Sequence, residues 1–426
     1  MSNINLLAAA LVSLGLAAGF AQSPTSAVKA FKGARLINPG SAPVDGAVIV
    51  VRGGKVEAAG PAKSVRIPKG AALHDLSGKF VIPGLITAHA HISDVQGAGP
   101  RSYTAENTLR QLGVFARYGV TAVWSLGGER EPAFKIRDAQ NTPALDHARL
   151  FLAGDVITAA TPEQARAMVA KVAATRPDVI KVRVDDQLGT AVKMPPDVYG
   201  ALIDEAHKRG LRVAVHIFAL EDAKGVLRAG ADFIAHSVRD REIDDEFIGL
   251  MKQRGAAYCP TLTRELSTFV YESTPAFFSD PFFLKEADAA VVARLREPER
   301  QKAMRESRSA RAYKAALPVA YQNLKKAAAA GIPIAMGTDS GAFPERFEGY
   351  FEHVEMKMMA EAGLSPAQIL RSATIDAARA MKVEGIGSIR RGAWADFVVL
   401  DRDPLADIAN TSAISAVWIA GNPVRR

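Results

Sequence analysis

Val81-Ile-Pro-Gly-Leu-Ile-Thr-Ala-His-Ala-His91 is the stretch on which the fold turns. It reads as a short apolar β-strand that closes on two histidines. Alternation along a strand, at about 3.3 Å per residue, puts His89 and His91 on one side about 6.6 Å apart, so both imidazoles can grip one ion. A lone His-x-His arises easily by chance, and the argument therefore rests on what accompanies it. Four further apolar runs end in the same manner: Val179-Ile-Lys-Val around Lys181, Val213-Ala-Val-His to His216, Phe233-Ile-Ala-His to His236, and Ile332-Pro-Ile-Ala-Met-Gly-Thr-Asp to Asp339. Half of the chain's 8 histidines fall in this set, whereas scattered core histidines have no reason to favour strand ends.

Strand-like runs alternate with helical ones through the middle of the chain, which argues for parallel strands with crossover helices. Candidate strands lie at 81–86, 120–125, 150–153, 179–184, 212–216, 233–235, 256–259 and 332–337. Eight such units suggest a (β/α)8 barrel of the α/β class, whose chemistry sits at the C-terminal ends of its strands. Thr161 and Pro162 make an N-cap and first turn for one of the helices between them. The connection from Thr261 to Gly331 is unusually long, aromatic at first and then charged and helical, and long connections often serve as lids or binding loops. At both ends of the chain the texture changes to short strands broken by Gly and Pro, as in Gly46-Ala-Val-Ile-Val-Val-Arg and Ala416-Val-Trp-Ile-Ala-Gly. The expected organisation is a β-sandwich made of 22–82 and 387–426 around a barrel of 83–386.

At 426 residues the chain exceeds the usual single core, which fits one large domain with a smaller companion. Hydrophobic residues at 48% and charged ones at 23% are ordinary for a globular enzyme. The net charge of +8 is dispersed, without the basic and aromatic interleaving of a nucleic-acid surface, so a solvated basic exterior and no nucleic-acid partner are expected. Residues 1–21 form an apolar leader that is too short to span a bilayer and ends in small residues, which predicts cleavage after Ala21, export to the periplasm or outside, and no membrane anchor in the mature protein. Cys259 is the sole cysteine and is expected to be a buried thiol.

The segments Pro83-Gly-Leu-Ile-Thr-Ala-His-Ala-His, Val179-Ile-Lys-Val, His216 with His236, Gly337-Thr-Asp-Ser-Gly and Gly392-Ala-Trp-Ala-Asp-Phe-Val-Val-Leu together resemble the amidohydrolase superfamily, in its imidazolonepropionase-like and prolidase-like branch. The resemblance runs from about Ala30 to Arg426. It implies that His89, His91 and Asp339 hold one metal, that His216 and His236 hold a second, and that Lys181, carboxylated on its ε-nitrogen, bridges the two. The acidic residue usual before the first histidine is Thr87 here. Deaminases and imidazolonepropionases of the superfamily also carry a catalytic Glu three residues after the equivalent of His216; that position is Ala219, and Glu221 is offset by two.

The chemistry can be argued from the residues as well. Burial lowers a lysine's pKa, and the neutral amine adds carbon dioxide to become an anionic carbamate with two oxygen donors. Alone, Lys181 would as readily pair with Asp185 or Asp186; His216 and His236, taken singly, read as core histidines, and Asp339 could cap its own loop. Jointly they make a binuclear site, in which two divalent ions lower the pKa of a shared water and polarise the carbonyl it attacks. Zinc suits imidazole and oxygen ligands best, and manganese or cobalt also fits. Asp339, the one carboxylate of the set, is the expected proton acceptor for the attacking water and donor to the leaving amine. For the substrate, Arg239 and Arg264 offer forks for a carboxylate, and Tyr258, Tyr103 and Trp124 are candidates for a pocket wall. His353 reads as structural. The expected function is hydrolysis of a C–N amide bond in a small peptide-like or N-acyl amino acid substrate, by a single chain or a homo-oligomer; a cyclic amide, lactone or imidazolone hydrolase, or a non-catalytic barrel relative, are the alternatives.

Overall fold

The computed structural model describes residues 28–425; the expected leader lies outside them. From the N-terminal side come β1 (Lys29–Leu36), β2 (Val44–Arg52), β3 (Lys55–Pro61), β4 (Ala72–Asp75) and β5 (Phe80–Pro83). The middle of the chain supplies β6 (Leu85–Ala90), β7 (Val120–Ser125), β8 (Arg149–Leu152), β9 (Ile180–Arg183), β10 (Val213–His216), β11 (Phe233–Ala235) and β12 (Ala257–Cys259). The far end adds β13 (Phe397–Leu400), β14 (Ile414–Ile419) and β15 (Asn422–Pro423).

The two ends of the chain meet in one sheet, ordered β15-β14-β13-β5-β1-β2-β3, with β4 on the first half of β1. Its seam is the antiparallel pair β13 and β5, with Val399 opposite Val81 and Val398 opposite Ile82. Strand β2 is apolar at consecutive positions because both its faces are covered. Ala47, Ile49 and Val51 pack with Phe31, Phe397 and Trp418, while Val48 and Val50 pack with Ala30 and Val65. Where two stacked sheets are expected, the described strands follow a single hydrogen-bonded path that forks at β1.

The middle strands pair in parallel as β6-β7-β8 and as β9-β10-β11-β12. Backbone hydrogen bonds join these two sheets at both of their seams. On one side Asp178 N–H donates to Leu152 O (2.7 Å) and Ile157 N–H to Lys181 O (2.8 Å). On the other, the segment 333–340 threads between β12 and β6: Tyr258 N–H donates to Pro333 O (2.9 Å), Ala88 N–H to Met336 O (2.7 Å) and Thr338 N–H to His89 O (2.8 Å). This segment stands where the eighth strand is expected, yet only Ile334 and Ser340 form bridges, each isolated. Pro333 has no N–H to give the ladder. Gly337 meets β6 so closely that a Cβ there would lie 2.7 Å from His89 N and 2.6 Å from Cys259 Sγ, the buried thiol expected from the sequence.

Helices run between the strands, one of them Pro162–Ala173, capped by Thr161, whose hydroxyl accepts from Gln164 N–H. The long connection after β12 is not a loose lid. It folds into short helices and the 22-residue helix Arg308–Ala329, and it encloses a core of its own with Tyr271, Phe278, Phe283, Phe347 and Phe351. Arg149 of β8 ties the middle to the terminal sheet through Asp396 (2.7 Å), with both side chains buried. Among the described residues no helix is long and apolar enough to cross a membrane.

Candidate metal centre

The parallel strands deliver all six expected ligands to one place, at their C-terminal ends. His89 lies in β6 and His91 just past it, Lys181 in β9, His216 at the end of β10, His236 one residue after β11, and Asp339 in the threading segment. Ligand atoms of His89, His91 and Asp339 all lie within 4.8 Å of one another. Asp339 Oδ1 is 2.8 Å from His91 Nε2 and 3.3 Å from His89 Nε2. The Nζ of Lys181 stands 3.3 Å from that same nitrogen of His89. The ring of His236 links the two halves, its centroid 4.5 Å from that of His89 and 4.1 Å from that of His216. These six side chains line a cavity of about 320 Å³.

Burial sets the charge state of the cluster. It pushes His216 down to about 3 and carries His89 and His236 well below the usual imidazole range, so these rings are neutral and keep a lone pair free. Burial also lowers the Lys181 ammonium to about 7, against the opposing pull of Asp339. Burial works against ionisation of Asp339, but the Arg346 guanidinium with His89 and His91 holds its carboxyl well below the ordinary value. Neutral imidazoles, an amine poised to lose its proton and one carboxylate form a donor set for a divalent cation, and a buried cluster of this kind has little else to compensate it. His89 Nδ1 is buried without a hydrogen-bond partner.

The surroundings orient the rings. His91 Nδ1 lies 3.0 Å from Gly127 O, and the Gly127 N–H in turn donates to Glu129 (2.7 Å), a buried carboxylate that also accepts from Gly154 N–H (2.7 Å). His236 Nδ1 meets the hydroxyl of Thr261 (2.7 Å). His216 Nε2 meets Asp185 Oδ2 (2.8 Å), so Asp185 serves a histidine and not Lys181. Burial of Asp185 opposes its charge, yet hydrogen bonds from His216 and Gln187 N–H hold its carboxyl below the usual range. At Thr87 the missing acid has a neighbour from elsewhere: fully buried Glu352 accepts from Thr338 Oγ1 (2.7 Å) and Ser340 Oγ (2.8 Å), fixing the segment that carries Asp339. His236, Thr261 and Asp339 all have positive φ, at 77°, 48° and 65°. Such backbone costs of order 1–3 kcal/mol per residue and gathers where function holds it.

The expected substrate contacts divide. Arg239 is 1% exposed and does not reach the cavity: it pairs with Glu265 (2.9 Å), donates to Ile217 O (3.0 Å) and lies over the Phe218 ring. Tyr258 is also interior, its hydroxyl accepting from Val238 N–H at 2.9 Å. Both expectations fail because a polar side chain in or after a strand can turn inward when the fold supplies a buried partner. Trp124 is core against Phe233, and Tyr103 donates to Ile92 O (3.1 Å) away from the cavity lining. His353 is structural, bridging Tyr118 O (2.8 Å) and Thr411 Oγ1 (3.1 Å). Glu221 pairs with Lys224 (3.2 Å), outside the cavity lining. Arg264 does line the cavity, held by Tyr313 Oη (3.0 Å) and Glu265 (3.1 Å). Sequence reasoning missed Arg346, which donates to Asp339 Oδ2 and Ser267 Oγ, and it missed Arg183.

Comparison with known proteins bears on the whole assembly. The model of the amidohydrolase family matches residues 80–424. An uncharacterized protein of Mycobacterium tuberculosis is 26% identical over 339 residues, covering 77% of this chain and 80% of its own length. The imidazolonepropionase of Deinococcus radiodurans is 24% identical over 408 residues, with 89% of this chain and 92% of the relative covered. In fold the chain is similar to a Xaa-Pro dipeptidase crystallised with methionine in its active site, at a TM-score of 0.75, 22% identity, and coverage of 94% of this chain and 100% of that one.

Proposed function

We propose that this chain, which belongs to the amidohydrolase family, is a binuclear metal-dependent hydrolase that cleaves a C–N amide bond in a peptide-like or N-acyl amino acid substrate. The circuit of parallel strands is read as a (β/α)8 barrel with its active site at the strand ends, and the forked terminal sheet as a small sandwich beside it. The observation that carries the proposal is the convergence of six donors with Lys181 at its centre, buried, lowered to about 7 and 3.3 Å from His89.

In this reading His89, His91 and Asp339 would hold one ion, His216 and His236 the other, and Lys181, as its carbamate with carbon dioxide, would supply an anionic oxygen donor to them. When bound, two divalent ions, zinc first among them, supply Lewis-acid activation of the attacking water and of the amide carbonyl. The protein's part is orientation and proton transfer. Asp185 engages His216 Nε2 and leaves Nδ1 for coordination, whereas Gly127 O and Thr261 engage the Nδ1 atoms of His91 and His236 and leave Nε2. Arg346 occupies Oδ2 of Asp339, so Oδ1, which faces His89 and His91, is the oxygen turned toward the cluster and would take a proton from water and return it to the leaving nitrogen. Arg264 lines the cavity as well, its guanidinium held by Glu265 and Tyr313.

Ala219 in place of a catalytic Glu disfavours deamination. The imidazolonepropionase among the relatives keeps a second reading, hydrolysis of a cyclic amide, lactone or imidazolone. The apolar leader further suggests action in the periplasm or outside the cell on a small molecule. A screen of metal-reconstituted enzyme against dipeptides, N-acyl amino acids, lactams and lactones tests the proposal. Turnover of linear amides is expected; turnover of cyclic substrates alone would transfer the function to the second reading, and no turnover by fully metallated protein would overturn both.

A further inference from the structure

We infer that Arg183 is the anchor for a substrate carboxylate, which makes the preferred substrate an N-acylated amino acid or dipeptide with a free acid and an apolar side chain. The inference rests on the amide-hydrolase reading above and narrows its substrate class. Arg183 stands two residues beyond Lys181 on β9, so alternation turns both side chains to the same side. It lies opposite His216 in the parallel ladder and lines the same cavity.

Three guanidinium groups face that cavity, and two are already engaged. Arg346 is held by Asp339 and Ser267, and Arg264 by Glu265 and Tyr313. The Arg183 side chain has neither an ion pair nor a hydrogen bond among the described residues. The carboxylates near it are spoken for: Asp185 takes His216 and the Gln187 N–H, and Asp339 takes His89, His91 and Arg346. A half-buried guanidinium with its planar fork open to a cavity suits a carboxylate, which it can bind bidentately. The same lining also has an apolar part, with Leu126, Val156 and Phe343. Phe343 is 46% exposed, unusual for a phenylalanine, and it sits at the cavity rather than on open surface. Arg183 for an acid, Phe343 for an apolar side chain and the histidines for the amide are thus offered within one cavity.

The test separates this inference from the reading beneath it by measuring binding as well as turnover. The probe is a carba analogue of N-acetyl-phenylalanine, with CH2 in place of the amide nitrogen, as the free acid and as the carboxamide. Titration calorimetry on the metal-reconstituted full chain compares wild type, Arg183→Gln and Arg183→Lys. Wild type is expected to bind the acid about 10- to 100-fold more tightly than the carboxamide, the range of a charge-assisted contact. Arg183→Gln should bring that ratio close to one with metal content and carboxamide affinity unchanged, and Arg183→Lys should restore part of it. Equal affinity of wild type for both probes, no binding of either, or a ratio that survives Arg183→Gln would overturn the assignment. An intact ratio in wild type, lost in Arg183→Gln, together with no turnover of any amide, would instead reject the hydrolase reading and leave Arg183 as an anion anchor.

Discussion

Among the buried arginine–carboxylate pairs of the described residues, Arg149 with Asp396 and Arg346 with Asp339 are built to different ends. At the junction with the terminal sheet, Arg149 meets Asp396 through Nε (2.7 Å) and Nη2 (3.4 Å), donates to Gln140 O (3.3 Å) and stacks on Trp394 at 4.1 Å. Asp396 completes its own bonding with Ala420 N–H (2.7 Å). At the strand ends, Arg346 meets Asp339 on Oδ2, but Oδ1 is divided between two histidines, the backbone carries positive φ, and a cavity of about 320 Å³ opens beside it. The first network closes on itself and joins two parts of the fold. The second leaves lone pairs directed into space, and that difference separates a structural ion pair from a functional one when residue types are the same.

The contrast can be broken most sharply at Asp339. Asp339→Asn keeps the volume and one oxygen donor, and kcat should fall by about 10² to 10⁴-fold with folding stability little changed; near-normal turnover with full metal content would place proton transfer elsewhere. Arg149→Met should do the reverse. Leaving Asp396 buried without its partner should cost about 3–5 kcal/mol in denaturant unfolding, while the metal bound per folded molecule stays constant; loss of metal at this distance would show that the two networks are not independent. Asp185→Ala frees His216 Nε2, and metal affinity or activity should drop by about 10- to 100-fold, as for other groups that orient a ligating histidine. The smallest effect is expected from Tyr258→Phe, which strands the Val238 N–H and should cost about 1–3 kcal/mol of stability without altering kcat/KM. A selective rise in KM there would return Tyr258 to the substrate pocket.

The same contrast marks how far the sequence can be read. His89, His91, Lys181, His216, His236 and Asp339 were all legible because each closes a local apolar run, and strand alternation is a short-range property. The strand-rich ends were legible too, since Gly and Pro punctuation betrays short strands, but the register of Val399 on Val81 depends on residues far apart in the chain. Arg239 and Arg183 show why side-chain roles were not. Arg239 follows a strand and Arg183 ends one, yet Arg239 turns to Glu265 in the interior and Arg183 opens on the cavity, and nothing beside either residue in sequence announces the choice. Asp185, with Asp186, was the alternative partner for Lys181 taken alone because it is near in sequence, whereas the partner it finds, His216, comes from the adjacent strand. The irregular threading of 333–340 follows from Pro333 and the close approach at Gly337, contacts that a count of apolar residues does not register.

Elemental analysis of the metal-supplemented protein, wild type beside Lys181→Ala, tests the binuclear centre most directly. The account predicts two divalent ions per wild-type chain, loss of most of the second ion in Lys181→Ala, and partial return of activity when acetate or propionate stands in for the carbamate. One ion per wild-type chain, or an unchanged pair of ions and full activity in Lys181→Ala, would contradict it.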